Sequence, residues 1–184
     1  MNTFFTSDLH FFHENVIKFC NRPFGSVEHM NETLIKNWNS VVGEKDHVWM
    51  LGDFSFGKDA DTQEVLSLLK GIKHLIVGNH DRKGRSERTF NRDWEKWFVD
   101  RHDYYRLKLG EHKFVLCHFP FYSWESGYYN LHGHLHSLAG YKNKWRQWDV
   151  GVDANNYTPI LLEDAVNRAE SGERTVSAIE VAGD

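Results

Sequence analysis

His74-Leu75-Ile76-Val77-Gly78-Asn79-His80-Asp81 decides how the rest of the chain is read. A run of strand character stops at a glycine and gives way to three polar side chains. Short runs of this kind, ending in Gly or a polar group, read as buried strands. The pattern recurs on both sides. Thr3-Phe4-Phe5-Thr6 leads to Asp8-Leu9-His10, and Val48-Trp49-Met50-Leu51 leads to Gly52-Asp53. Phe114-Val115-Leu116-Cys117 leads to His118, and Tyr128-Tyr129-Asn130-Leu131 leads to Gly133-His134-Leu135-His136. In open α/β sheets, sites form beyond the carboxyl ends of the strands. Five such strands predict one sheet edge at which Asp, Asn and His side chains gather.

The residue types narrow the chemistry. Asp, Asn and His offer oxygen and imidazole nitrogen but no thiolate. That set suits Mn, Fe, Zn, Co or Ni better than a structural zinc knuckle. Asp8, His10, Asp53, Asn79, His118, His134 and His136 are too many for one ion. They suit two divalent transition-metal ions that share a ligand. Paired ions about 3.5–4 Å apart suit displacement at phosphorus. His80 follows Asn79 directly, so its imidazole is placed to give a proton to a leaving oxygen.

Plainer readings stand beside these. Asp8 or Asp53 taken singly reads equally well as a helix cap. Taken with the histidines, the metal reading is favoured. His134 and His136 alternate, which puts both on one side of a strand or turn. His132 shares that parity and is expected behind a ligand or facing substrate. His13 either lines the pocket and contacts substrate or bonds to backbone at a helix start. Arg22 either reaches a phosphate or pairs with an acidic group. Asp149 and Asp153 either accept from ligand imidazoles or hold turns. Phe119, Phe121, Tyr122 and Trp124 either join the core or form a stacking platform. Residues 83–92 read as a polar loop beside the site, whose Lys83, Arg85, Arg88 and Arg92 either steer an anion or are simply solvated.

The blocks D-x-H, G-D, G-N-H-D, H and G-H-x-H occur in that order from Asp8 to His136. In this the chain resembles the calcineurin-like metallophosphoesterase superfamily. It is most similar to the small bacterial and phage members, through Ser7-Asp8-Leu9-His10 with His13 and Asn15, Arg22-Pro23-Phe24, and Asn37-Trp38-Asn39. The resemblance implies a first ion on Asp8, His10, Asp53 and His136, and a second on Asp53, Asn79, His118 and His134. Asp53 would bridge, and His80 would act as the acid, oriented by Asp81. The implied activity is hydrolysis of a phosphoester by a hydroxide shared between the ions. The chain departs from the Ser/Thr protein phosphatase branch. Phe54-Ser55-Phe56-Gly57 follows Gly52-Asp53, and Asp81 stands where that branch has Glu. Phosphoprotein substrates are therefore not expected. The expected substrate is a small phosphate ester or a nucleotide, with a diester favoured over a monoester because no cap segment is visible. Two alternatives are a metal-free scaffold and a nuclease. The first needs lost ligands, and none is lost. The second needs DNA-binding parts, and none is evident.

The 184 residues predict a single domain over 1–184 with room for a sizeable core. Net charge of −4 gives no overall nucleic-acid footprint, so no stable nucleic-acid partner is expected. No apolar run is long enough for a membrane span. Met1 to Phe5 carries no signal-peptide pattern, and a cytoplasmic location is expected. Cys20 and Cys117 are far apart, and Cys117 is expected as a buried thiol. Periodicity predicts helices over 27–42, 61–70 and 163–170, the last closed by Gly172. A hairpin is expected over 104–117 and a last strand over 175–181. The sum is an α/β fold, a two-sheet sandwich flanked by helices.

Overall fold

The computed structural model describes residues 1–82, 93–137 and 141–171. The loop expected over 83–92, the stop at Gly172 and the strand expected over 175–181 lie outside the described residues.

Strands β1 (Thr3–Thr6), β2 (His47–Met50), β3 (Ile72–Ile76) and β4 (Arg101–His102) run parallel in one sheet. The hairpin strands β5 (Tyr104–Leu109) and β6 (His112–Cys117), with β7 (Tyr129–His132) and β8 (Gln147–Asp149), make a second sheet in the order β5-β6-β7-β8. Strand β9 (Ile160–Leu161) joins the first sheet antiparallel to β1, giving the order β4-β3-β2-β1-β9. Helices α1 (Glu14–Phe19), α2 (Val27–Val41), α3 (Asp59–Leu68) and α4 (Leu162–Ser171) flank the sheets. This is the α/β sandwich that the sequence predicts.

Strand alternation explains the two cores. Phe4, Val48, Met50 and Leu75 face one way and pack with Met30, Leu34, Trp38 and Val65 from α2 and α3. Phe5, Trp49, Leu51 and Ile76 face the other way and meet Phe114, Leu116, Leu131 and Trp148 of the second sheet. A side-chain period of two puts successive residues on opposite faces, so a strand buried on both sides must be apolar throughout. That is why these runs lack the polar alternation of β5, whose burial alternates along its length. Each fully buried Leu or Phe contributes about 1.5–3 kcal/mol.

Helix α2 begins where Ser26 accepts a hydrogen bond from the His29 N–H. Asn31 on its buried face accepts from the Phe12 N–H at 3.1 Å, tying α2 to the loop that follows β1. Residues 148–153 read from sequence as one strand, but that strand ends early. Only Gln147–Asp149 is strand, and Val152–Ala154 is a 3-10 turn. Its bend carries Asp153 toward the edge where β1 ends. Among the described residues, no helix is long and apolar enough to cross a membrane.

Candidate metal centre

The loops after β1 and β2 continue side by side past the sheet. Asp8 N–H donates to Gly52 O, His10 N–H to Asp53 O, and Phe11 N–H to Phe54 O, each at 3.0 Å. This pairing sets Asp8 and His10 against Asp53. Gly78 then lets the β3 loop close on them, because a Cβ there would lie 2.2 Å from Asp53 Oδ1. Gly133 plays the same part after β7, where a Cβ would lie 2.0 Å from Ser7 Oγ and 2.3 Å from Asp8 Oδ2. Asp8, His10, Asp53, His134 and His136 all adopt positive φ, between 47° and 71°. Non-glycine residues rarely sit there, and such strain gathers at functional sites.

Three groups of donor atoms result among the described residues: Cys20, His136 and Asp153 make one, and two more hold the expected ligands. Of these two, Asp8, His10 and His136 form one, and Asp53, His118 and His134 the other. Asp53 Oδ2 lies 3.4 Å from His118 Nε2 and 3.7 Å from His10 Nε2, so it faces both. Asp8 Oδ1 lies 3.9 Å from His10 Nε2 and 3.8 Å from His136 Nε2. These last separations are too long for hydrogen bonds. Two donors each about 2.1 Å from one ion stand roughly 3–4 Å apart.

The partners of the imidazoles fit the same reading. His118 donates from Nδ1 to Leu51 O at 2.7 Å, and His136 donates from Nδ1 to Asp153 Oδ2 at 2.8 Å. Each therefore turns Nε2 inward, as imidazoles held for a metal do. His10 is 2% exposed, and neither ring nitrogen has a hydrogen-bond partner; Asp8 Oδ1 is likewise buried and unpartnered. Buried polar atoms without partners are costly and rare. A divalent cation would satisfy Asp8 Oδ1 and one His10 ring nitrogen, so the residues present fit the ions that the donor set implies. Asn79 is exposed and accepts at Oδ1 from His118 Nε2 at 2.9 Å, which puts its amide oxygen beside the second cluster.

Charge follows this geometry. Burial lowers the His10 pKa well below its usual value, and nearby His136 adds to the fall, so the ring is neutral. Burial also pulls on His118 and His136, but carboxylates outweigh it. The Asp53 bond lifts His118 to about 9, and the Asp153 bond lifts His136 to about 11. Without ions both rings carry a proton at neutral pH, and both must lose it to bind metal. The sign follows. Below these pKa values protons compete with metal, and affinity rises with pH toward them. Metal uptake at pH 7 is expected to release about two protons, with affinity climbing about tenfold per pH unit for each. Calorimetry in buffers of different ionisation heat measures the release. Uptake with no proton release would contradict the arrangement.

The remaining expected residues divide. His80 is exposed, with its ring 4.9 Å from Phe56 and 5.8 Å from His10 by centroid, and its N–H donates to Asp53 Oδ1 at 2.9 Å. Asp81 is buried, and its carboxylate accepts the N–H groups of Gly78, Asp53 and Phe54 at 2.8–3.0 Å. It thus clamps the loop that carries Asp53. His13 sits at the N-cap of α1 without a side-chain capping bond. Its ring stacks on Phe56 at 4.0 Å and stands 5.4 Å from His10.

Arg22 and His132 each have two readings, and both lie among buried partners. Arg22 is 3% exposed. Its Nε and Nη2 grip Asp153 at 2.8 and 2.9 Å, and its guanidinium also donates to the Asp8 and Leu9 carbonyls. Arg22 and Asp153 therefore brace His136 and the Asp8 loop. His132 is fully buried in β7, within reach of Gly133 O and Asn143 Oδ1. Burial lowers its pKa to about 4, which keeps it neutral. Strand parity does not extend past His132, because the chain leaves the strand at Gly133 and His134 and His136 turn into different clusters. Of the two downstream carboxylates, Asp153 holds an imidazole, while Asp149 accepts the Gly151 N–H in a turn. Phe56 was not anticipated. It lies three residues past the Gly52-Asp53 block, and an aromatic there carries no local signal.

Arg22→Met is expected to cost about 3–5 kcal/mol of folding free energy, because it leaves the Asp153 carboxylate buried with half its support gone. Urea denaturation of the metal-free protein measures it. A loss under about 1 kcal/mol would mean the pair is dispensable.

Comparison with known proteins agrees with the ordered blocks. The sequence profile described as calcineurin-like phosphoesterase matches residues 1–179. An uncharacterised protein of Methanocaldococcus jannaschii is 39% identical over 182 residues, covering 93% of this chain and 94% of the relative. The gene 66 protein of Mycobacterium phage L5 is 34% identical, covering 83% of this chain and 87% of its own. That of phage D29 is 32% identical, covering 93% and 98%. The crystal structure of a protein of unknown function from Aquifex aeolicus shares the fold, with a TM-score of 0.65 at 22% identity over 88% of this chain and 96% of the other.

Proposed function

This chain belongs to the calcineurin-like phosphoesterase family, and from that premise we propose that it hydrolyses phosphodiesters at a centre of two divalent metal ions. The observation that carries the proposal is the adjacency of the two donor clusters across Asp53, with both nitrogens of buried His10 unpartnered. Asp8, His10, Asp53 and His136 would hold one ion. Asp53, Asn79, His118 and His134 would hold the other. When bound, the ions supply Lewis acidity toward a phosphoryl group and make water acidic enough to act at neutral pH. The protein's own residues do the rest. Asp153 and the Leu51 carbonyl fix the tautomers of His136 and His118. Asp81 holds the Asp53 loop rigid, which keeps the shared carboxylate from swinging to one side. His80, exposed at the rim, donates a proton to the departing alkoxide. A diester is favoured because open space continues beside His80 and Asn79, where a second ester arm has room.

The test is a panel of bis-p-nitrophenyl phosphate, p-nitrophenyl phosphate and cyclic nucleotides, run with added Mn or Ni. Metal analysis of the loaded protein accompanies it. Diester turnover above monoester turnover, at a metal content near two per chain, is expected. Full activity at one ion per chain would sink the shared-ligand arrangement. A monoester preference would sink the substrate assignment.

A further inference from the structure

A cleft of about 590 Å³ opens beside the centre, lined by Asn79, His80, Arg82, Asp103 and Phe119. Its volume lies in the range of small-molecule pockets. Phe119 directly follows candidate ligand His118, yet 44% of it is exposed. Its ring is held at an angle by two histidines, 5.0 Å from His118 at 74° and 4.7 Å from His134 at 64°. Edge contacts of this kind hold an aromatic ring in a set orientation. A large apolar side chain is thus fixed in the open, next to the reacting centre and in the cleft that His80 also lines. The same cleft is bordered by an ion pair between Arg82 and Asp103, whose side chains are 31% and 70% exposed. Hydrophobic surface and paired donors and acceptors therefore occur together.

Resting on the phosphoesterase reading, we infer that this cleft is a subsite for a nucleobase-bearing ester, with the base stacked on Phe119. The phosphate sits at the centre, and the sugar hydroxyls meet the Arg82–Asp103 pair. A bare alkyl ester uses neither feature. A lipid tail uses the ring but leaves the polar pair without a role. A nucleoside matches both, because it joins a flat π-face to a hydroxylated sugar. The presence of His80 in this cleft makes it the leaving-group side, since the acid must stand beside the oxygen that departs.

Competition against bis-p-nitrophenyl phosphate tests the subsite in the metal-loaded protein. Inhibition constants are compared for inorganic phosphate, ribose 5-phosphate and adenosine 5′-monophosphate. The nucleotide is expected to bind roughly tenfold tighter than ribose 5-phosphate, the scale of base stacking on an aromatic ring. Phe119→Ala should erase that advantage and leave the constants for phosphate and ribose 5-phosphate within about twofold, whereas Phe119→Tyr should keep it. Saturation-transfer NMR should show adenine protons in contact with the wild type and not with Phe119→Ala. Equal constants for nucleotide and sugar phosphate in the wild type overturn the subsite. So does an advantage that survives Phe119→Ala. Either result with diester turnover and phosphate binding intact leaves the phosphoesterase reading standing. Failure of the loaded protein to hydrolyse any phosphoester overturns that reading, and the subsite falls with it.

Discussion

Asp53→Asn is expected to lower turnover by about 10³-fold or more and to reduce metal content at both positions together. The carboxylate is 1% exposed, and Oδ2 reaches toward His10 on one side and His118 on the other. Its second oxygen accepts the His80 N–H. Burial pushes its pKa up, but the His118 bond and neighbouring imidazole charge hold it near 2, so it is ionised throughout the working range. An amide has one acceptor and no charge. If its oxygen turns to the His80 N–H, the NH₂ faces the metals and cannot ligate. If it turns the other way, the His80 backbone loses its anchor. Either way the charge that draws two cations together is gone. Metal analysis and turnover are read on one preparation, with circular dichroism to show that the fold survives. Near wild-type turnover with two ions bound would remove Asp53 from the bridging position.

His80→Ala carries the second large effect. A general acid contributes typically about 10²–10⁴-fold, and kcat should fall within that range while metal content holds. The ring packs against Phe56 and edges His10, and the two donor clusters are complete without it. The loss should depend on the leaving group. A p-nitrophenolate departs with little protonation, whereas a ribose alkoxide needs a full proton. Wild type and variant are therefore compared on an aryl ester and a nucleotide ester. Equal losses on both would make His80 a positioning residue. A loss that comes with missing metal would make it a ligand.

The strands and the order of the polar blocks were legible because both are local properties. A run such as Val48-Trp49-Met50-Leu51 is apolar at every position because both of its faces are covered, and that shows without knowing what covers them. The donor set was legible for a related reason. Each donor lies within a few residues of a strand end, so topology alone delivers it to one edge.

What the sequence determined by itself is thus the sandwich, the edge and the kinds of atom gathered there. Tertiary structure decided which atom faces which. Arg22 and Asp153 stand 131 positions apart and find one another only through the packing of the β1 loop against the turn after β8. His134 reaches Asp8 across 126 positions and adopts positive φ, so strand parity cannot carry past Gly133. Asp81, which the resemblance implies orients His80, also accepts the backbone N–H groups of Gly78, Asp53 and Phe54, which its motif alone does not show. A buried polar group takes whichever partner the closed core leaves within reach, and that choice exists only once the core has closed.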